Sequence, residues 1–275
     1  MTIEKIADKL KKNEITYDEA YIAEILKEEK EAKDEIKYLL LLFFTGELKK
    51  RNLYKEINRI VEELFINIGG DMSLEFAKRH EEGYFEGSYI AQILKGKFSK
   101  VPKVQDYNPK WHLGNGSFLD DLVYYKNRLI DDLRKEIERM VAFKAPVEKA
   151  VKSVEKPFNK LFNSSKTMID TEMVYAERQG MKDAYTDNDA KQYRYIATLD
   201  TLTCERCGEL DGRVFMLSQA FVGANYPPMH PHCRCTTIPV FPDFDTDRRY
   251  AKDENGETIE VVGMTYPEWK KKYVV

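Results

Sequence analysis

The placement of the cysteines constrains this chain more than any other feature. All four lie between Cys204 and Cys235, as a Cys204-Glu-Arg-Cys207 pair and a His230-Pro-His-Cys233-Arg-Cys235 cluster. Between them, Leu210-Asp211-Gly212 signals a turn, and Tyr226-Pro227-Pro228 makes a stiff approach to the second cluster. Two short-spaced sets joined by a loop can surround a tetrahedral zinc ion without a large core. A structural zinc is therefore expected, drawn from Cys204, Cys207, His230, Cys233 and Cys235, with His232 as the spare. Two disulfides would need an oxidising compartment, and no secretory signal announces one. Free buried thiols and an iron–sulfur cluster are the other readings; the histidines favour zinc over the cluster.

The 275 residues suffice for one large or two ordinary domains. A net charge of −3 with 33% charged residues describes a soluble, helix-rich chain with no global pull towards nucleic acid. The most apolar run, Tyr38 to Phe44, is too short to cross a bilayer and reads as a buried helix. Met1-Thr-Ile-Glu-Lys lacks the features of a signal peptide, so a cytoplasmic chain with no membrane contact is expected.

In chain order, Thr16-Tyr-Asp-Glu19 forms a capping box. Ile22, Ile25, Ala32, Ile36, Leu39 and Phe43 then follow a helical spacing broken only by Glu29. A second helix, with Leu53, Ile57, Ile60, Leu64 and Ile68 on one face, is expected to end at Gly69-Gly70. One or two shorter helices follow over Asp71 to Leu94, with Gly83 and Gly87 as weak points. Lys95 to Asn108 is a basic connector. Ser117-Phe-Leu-Asp120 caps a helix whose Leu119, Val123, Lys126, Ile130, Leu133, Ile137 and Met140 repeat at heptad spacing, a coiled-coil-like seam that needs a facing helix. Lys144 to Lys166 carries six lysines against Glu148 and Glu155. Either it is a solvated helix face, or Lys144, Lys149, Lys152, Lys156 and Lys160 touch DNA phosphates without reading sequence.

The period changes from helical to strand-like at Tyr193, Tyr195 and Ala197. Strands are expected over 193–198, 214–216, 236–240 and 258–262, with Asn255-Gly256 turning a last hairpin. A short terminal helix should start near Thr265-Tyr-Pro-Glu268-Trp269. The expected fold class is α+β: an elongated, mainly helical N-terminal and central part, then a small zinc-stapled β-rich C-terminal domain. The divisions are residues 1–95, a variable helical region; 96–192, a helical arm; and 193–275, the zinc-knuckle domain. A metal there would supply folding free energy that a thin core cannot.

The succession Tyr195-Ile-Ala-Thr-Leu-Asp200-Thr-Leu-Thr203-Cys204-x-x-Cys207, Leu210-Asp211-Gly212, Pro227-Pro228-x-His230-Pro231-x-Cys233-Arg234-Cys235 and Pro239 resembles the phage head morphogenesis family, the minor head proteins related to the Mu F protein. Thr171-Glu172 upstream and Tyr266-Pro-Glu-Trp269 at the end are similar as well. Asp170 stands where the family often has a basic residue. The resemblance spans roughly residues 110–270. It implies a minor capsid protein in the virion, made in the host cytoplasm. Such a protein associates with the portal and other capsid components inside the head, and assists assembly and DNA packaging and ejection. It implies no catalysis. Non-specific double-stranded DNA as a further partner, and an oligomer formed through the helical arm, agree with the lysines and the seam. The rival class is a zinc-dependent nuclease or toxin-like enzyme of the His-Cys or His-Asn-His type. Yet no Ser-His-Asp order, phosphate loop or His-Glu-x-x-His motif is present.

Overall fold

A computed structural model describes residues 19–95, 118–241, 248–252, 257–262, 268 and 271. Helices α1 (Glu19–Phe44), α2 (Lys50–Lys95), α3 (Phe118–Ala142), α4 (Val147–Lys152) and α5 (Glu155–Asp187) come first. Then follow β1 (Gln192–Ile196), α6 (Glu205–Leu210), β2 (Val214–Met216), a 3-10 turn at Leu217–Gln219, β3 (Thr236–Val240), β4 (Arg248–Lys252) and β5 (Thr258–Val262). The description is thus mostly helical, with a small antiparallel sheet towards the C-terminus, and the strands fall where alternation places them. The connector before Asn108, the Ser117 cap, the Asn255-Gly256 turn and most of the expected terminal helix lie outside the described residues, as do Thr16 to Asp18 of the capping box.

The contacts divide the chain into two interleaved units. One holds 17–74 and 109–169; the other holds 1–16, 75–108 and 170–275. In the first, α1 buries Ile25, Ala32, Ile36 and Leu40, and α2 buries Leu53, Ile57, Ile60, Leu64 and Ile68. Glu29 is not a break in the α1 stripe. It is 4% exposed and belongs to the buried face. The Tyr38–Phe44 run is amphipathic rather than wholly buried, because Leu40 is enclosed while Tyr38 and Leu41 face outwards. The α3 seam differs from the heptad in its first half: Phe118, Leu122 and Leu129 are buried with Leu133, Ile137 and Met140. Leu119 and Val123 are about half exposed. At 3.6 residues per turn, the stripe that faces a straight partner drifts off a strict seven-residue repeat.

The second helix does not stop at Gly69-Gly70; α2 is one helix of 46 residues. Its glycines serve close packing. A Cβ on Gly69 would lie 3.1 Å from Leu122 Cδ1. In the other unit, a Cβ on Gly83 would fall 2.1 Å from the Glu177 carbonyl, and one on Gly180 of α5 would fall 2.0 Å from the His80 carbonyl. There α2 and α5 cross backbone to backbone, which explains why Gly180 also interrupts nothing.

The sheet has the order β2-β1-β3, antiparallel throughout, with Tyr193 opposite Phe215 and Pro239. One face rests on the helices. Tyr193 packs with Ile90 and Leu94 of α2, Met181 and Tyr185 of α5, and Leu217 and Tyr226 of the following loops. The Tyr185 hydroxyl donates to the Thr237 carbonyl at 2.8 Å. The β-rich segment therefore takes part of its core from Ile90 and Leu94 of α2, far upstream in the chain. β4 and β5 form a separate two-stranded ladder, Arg248 opposite Val262.

Candidate metal centre

A second cluster, Tyr195, Ala197, Cys207, Met229, Cys233 and Cys235, forms around the thiols. Cys204 is the N-cap of α6, and its Sγ accepts the Cys207 N–H at 3.5 Å. One helical turn thereby brings both sulfurs to the same side, the reason a Cys-x-x-Cys pair can share a metal. On the returning loop, Cys204 Sγ and Cys207 Sγ lie 3.2 and 3.4 Å from His230 Nε2, and Cys207 Sγ lies 4.0 Å from Cys233 Sγ. Two overlapping trios result: Cys204, Cys207, His230 and Cys207, Cys233, Cys235, each with ligand atoms within 4.8 Å of one another. Tetrahedral zinc with bonds of about 2.3 Å to sulfur has S···S edges near 3.8 Å and S···N edges near 3.5 Å. The edges from Cys204 and Cys207 to His230 and from Cys207 to Cys233 are near these lengths, and Cys207 is common to both trios.

Surrounding groups aim these donors. His230 Nδ1 lies 2.8 Å from the Pro231 carbonyl, so the proton belongs on Nδ1 and the Nε2 lone pair faces the thiols. The Tyr195 hydroxyl donates to Cys207 Sγ at 3.5 Å, and burial pushes this phenol far above its ordinary range. Hydrogen bonds from Cys207 and Cys235 hold the Cys233 thiol far below its usual value. The reciprocal bond from Cys233 drives Cys207 up to about 12, and bonds from Cys207 first and then Cys233 raise Cys235 as well.

Three further ties fix the loops, and sequence reasoning had singled out none of them. Asp200 takes the Arg234 guanidinium with both oxygens, Nη2 to Oδ1 at 2.7 Å, and its Oδ1 accepts the Leu202 N–H at 3.0 Å. Arg234 is thereby held between two cysteines; both residues stood in the motif as unassigned letters. Arg178 of α5 is 1% exposed, and its Nε donates to the Cys235 carbonyl at 3.1 Å. The Tyr226 hydroxyl donates to the Arg178 carbonyl at 2.7 Å. Nothing in local spacing marks Arg178, since its partner is 57 residues away. His232, the spare, sits apart from the thiols: its Nδ1 is 3.2 Å from Oδ2 of buried Asp170, and its φ of 59° lies in the left-handed region. Thr171 and Glu172 are buried beside Asp170 on α5.

Among the lysines, Lys144, Lys149 and Lys152 are exposed around α4. Lys160 is paired with Asp132 at 2.8 Å, and Lys156 Nζ stands 4.0 Å from Glu136. His80 is enclosed against Asp183 at 2.9 Å; His112 lies outside the described residues. Among the described residues, no helix is long and apolar enough to cross a membrane.

Residues 129–238 match the family model described as phage Mu protein F like protein, which bears out the resemblance carried by the motifs. The matched span begins inside α3, contains all of α5, β1, α6 and β2 with every Cys and His of the centre, and ends inside β3. No curated protein and no solved structure matches the chain.

Proposed function

We propose that this chain is a minor head component of a phage, a non-catalytic capsid protein that associates with the portal inside the head and assists assembly and the passage of DNA. The observation that carries the reading is the family match, because it covers the whole Cys/His centre rather than a generic helical stretch. Heads purified from an infection test it. The protein should co-purify with them and with portal in stoichiometric, low copy, and heads that contain portal but lack this chain would overturn the reading.

Within that role the centre holds one structural zinc. Cys204, Cys207 and His230 form the tighter trio, Cys233, whose Sγ is 4.0 Å from Cys207 Sγ, is the fourth ligand, and Cys235 lies against Cys207 and Cys233 as the fifth candidate donor. The ion would staple the α6 turn to the returning loop, contributing folding free energy where the local core is six residues. Metal analysis of freshly prepared protein should find about one zinc per chain. Cys233→Ser should lose the zinc and Cys235→Ser retain it, and the reverse result would exchange their roles. For DNA, Lys144, Lys149 and Lys152 remain the better contacts, since Lys156 and Lys160 already face acids. Binding should be indifferent to sequence and fall steeply with salt. Changing these three to Glu should abolish it; unchanged retention of DNA would return them to a solvated surface.

A further inference from the structure

The two outer edges of the β2-β1-β3 sheet are unlike each other. The Tyr195 N–H donates to the Arg213 carbonyl and the Leu217 N–H to the Lys191 carbonyl, both at 2.9 Å. In an antiparallel ladder, inward and outward residues alternate. The Arg213 carbonyl, Phe215 and the Leu217 N–H therefore turn towards β1, while the Arg213 N–H donates to the Leu210 carbonyl, and Val214 and Met216 turn their backbone groups outwards. By the same parity, β3 points Thr237 and Pro239 outwards. That edge is blocked: the Thr237 carbonyl is taken by the Tyr185 hydroxyl, and Pro239 has no N–H. The β2 edge has no such protection. Among the described residues no strand pairs with its outer side, and Val214 and Met216 are 43% and 41% exposed.

Charge decides what fits there. Arg213, exposed, immediately precedes β2; Lys191, also exposed, stands on the β1 side opposite Leu217, and Arg194 lies directly across from Val214. The nearest acid in sequence, Asp211, is 6% exposed and turned inwards, its Oδ1 accepting the Ala197 N–H at 2.8 Å. Exposed acids close by in the chain include Glu205 and Glu209, both on α6, and Asp189, which faces Lys95 at 3.5 Å. A second copy pairing β2 to β2 antiparallel about Phe215 would satisfy the four outward groups. It would also bring two sets of these cations together, which disfavours it.

We propose that the outer edge of β2 captures an extended segment of another protein, in which apolar side chains alternate with acidic ones. The partner strand exchanges hydrogen bonds with Val214 and Met216, lays its apolar residues along their side chains, and sets its carboxylates against Arg213 and Lys191. This inference rests on the sheet's geometry and holds whether or not the chain is a head protein.

The test is amide hydrogen exchange on the full chain with a synthetic seven-residue peptide alternating valine with glutamate. At saturation the Val214 and Met216 amides should exchange about tenfold more slowly, with Thr237 unchanged. A valine–lysine peptide should give no protection. Val214→Pro deletes an outward N–H without touching the bonds to β1, so it should abolish capture while the Tyr195 amide stays protected. Val214→Glu, which keeps the backbone intact, should weaken it through charge. Absence of protection, equal protection by the lysine peptide, or undiminished binding in both variants would overturn the proposal. Protection that rises with protein concentration and without peptide would overturn it in favour of self-pairing.

Discussion

Glu29 shows how much a single buried group can set. It lies in the apolar face of α1 between Ile25 and Ala32, and burial lifts its carboxyl to about 7, against hydrogen bonding from Ser165 on α5 and the charge of Lys33. The folded pKa is above the unfolded one, so the folded state holds the proton more tightly. Stability is fully present below pH 4.5, declines as pH rises from 4.5 to 7, and is level above that. The loss across that window is roughly 3 kcal/mol. Glu29→Gln should abolish that slope and be the more stable protein at pH 8, as read by urea denaturation at a series of pH values. A slope unchanged in the variant would place the titration elsewhere. At the same scale, Asp200 was legible as part of a motif, but its bidentate grip on Arg234 was not, because the two are 34 residues apart.

At the scale of the element, glycine carries the clearest contrast. Gly83→Ala forces a methyl group to within 2.1 Å of a carbonyl of α5 and should cost roughly 3 kcal/mol, since backbone cannot step aside as a side chain can. Gly70→Ala, in the same helix with nothing within 4 Å, should instead stabilise by about 1 kcal/mol. Equal shifts in melting temperature would mean that α2 and α5 do not cross as described. For α3, Leu129→Ala should cost about 2–4 kcal/mol, whereas Val123→Ala should stay within about 0.5 kcal/mol. Half of this seam was readable. Leu133, Ile137 and Met140 fall on it, while the choice between Leu119 and Leu122 depended on where the facing helix lies, with Gly69 of α2 taking Leu122.

For the molecule as a whole, the interleaving of the two units governs what a metal can stabilise. With zinc bound as proposed, a chelator should raise hydrogen exchange across residues 197–235, where the α6 turn and the returning loop would share the ion. Amides in the helices of the other unit, such as Ile36 and Leu133, have their own core and should be unaffected. Uniform loss of protection in both units would show that the metal holds the whole chain together.

The sequence by itself determined the local features. The helical and strand periods, the limits of β2, β3 and β5, the Cys/His set and the family signature all lie within a few tens of residues, and short-range spacing encodes them. Only the tertiary structure decided the rest. Gly69, Gly83 and Gly180 sit inside long helices because a neighbouring backbone or side chain occupies the space of their missing Cβ. Glu29 is buried because the face it shares is, and Arg178 reaches the thiol loop because α5 runs beneath it. Spacing along a chain shows which side chains share a face. What that face meets is settled by residues far away in sequence, and with it whether a glycine ends a helix or seats one.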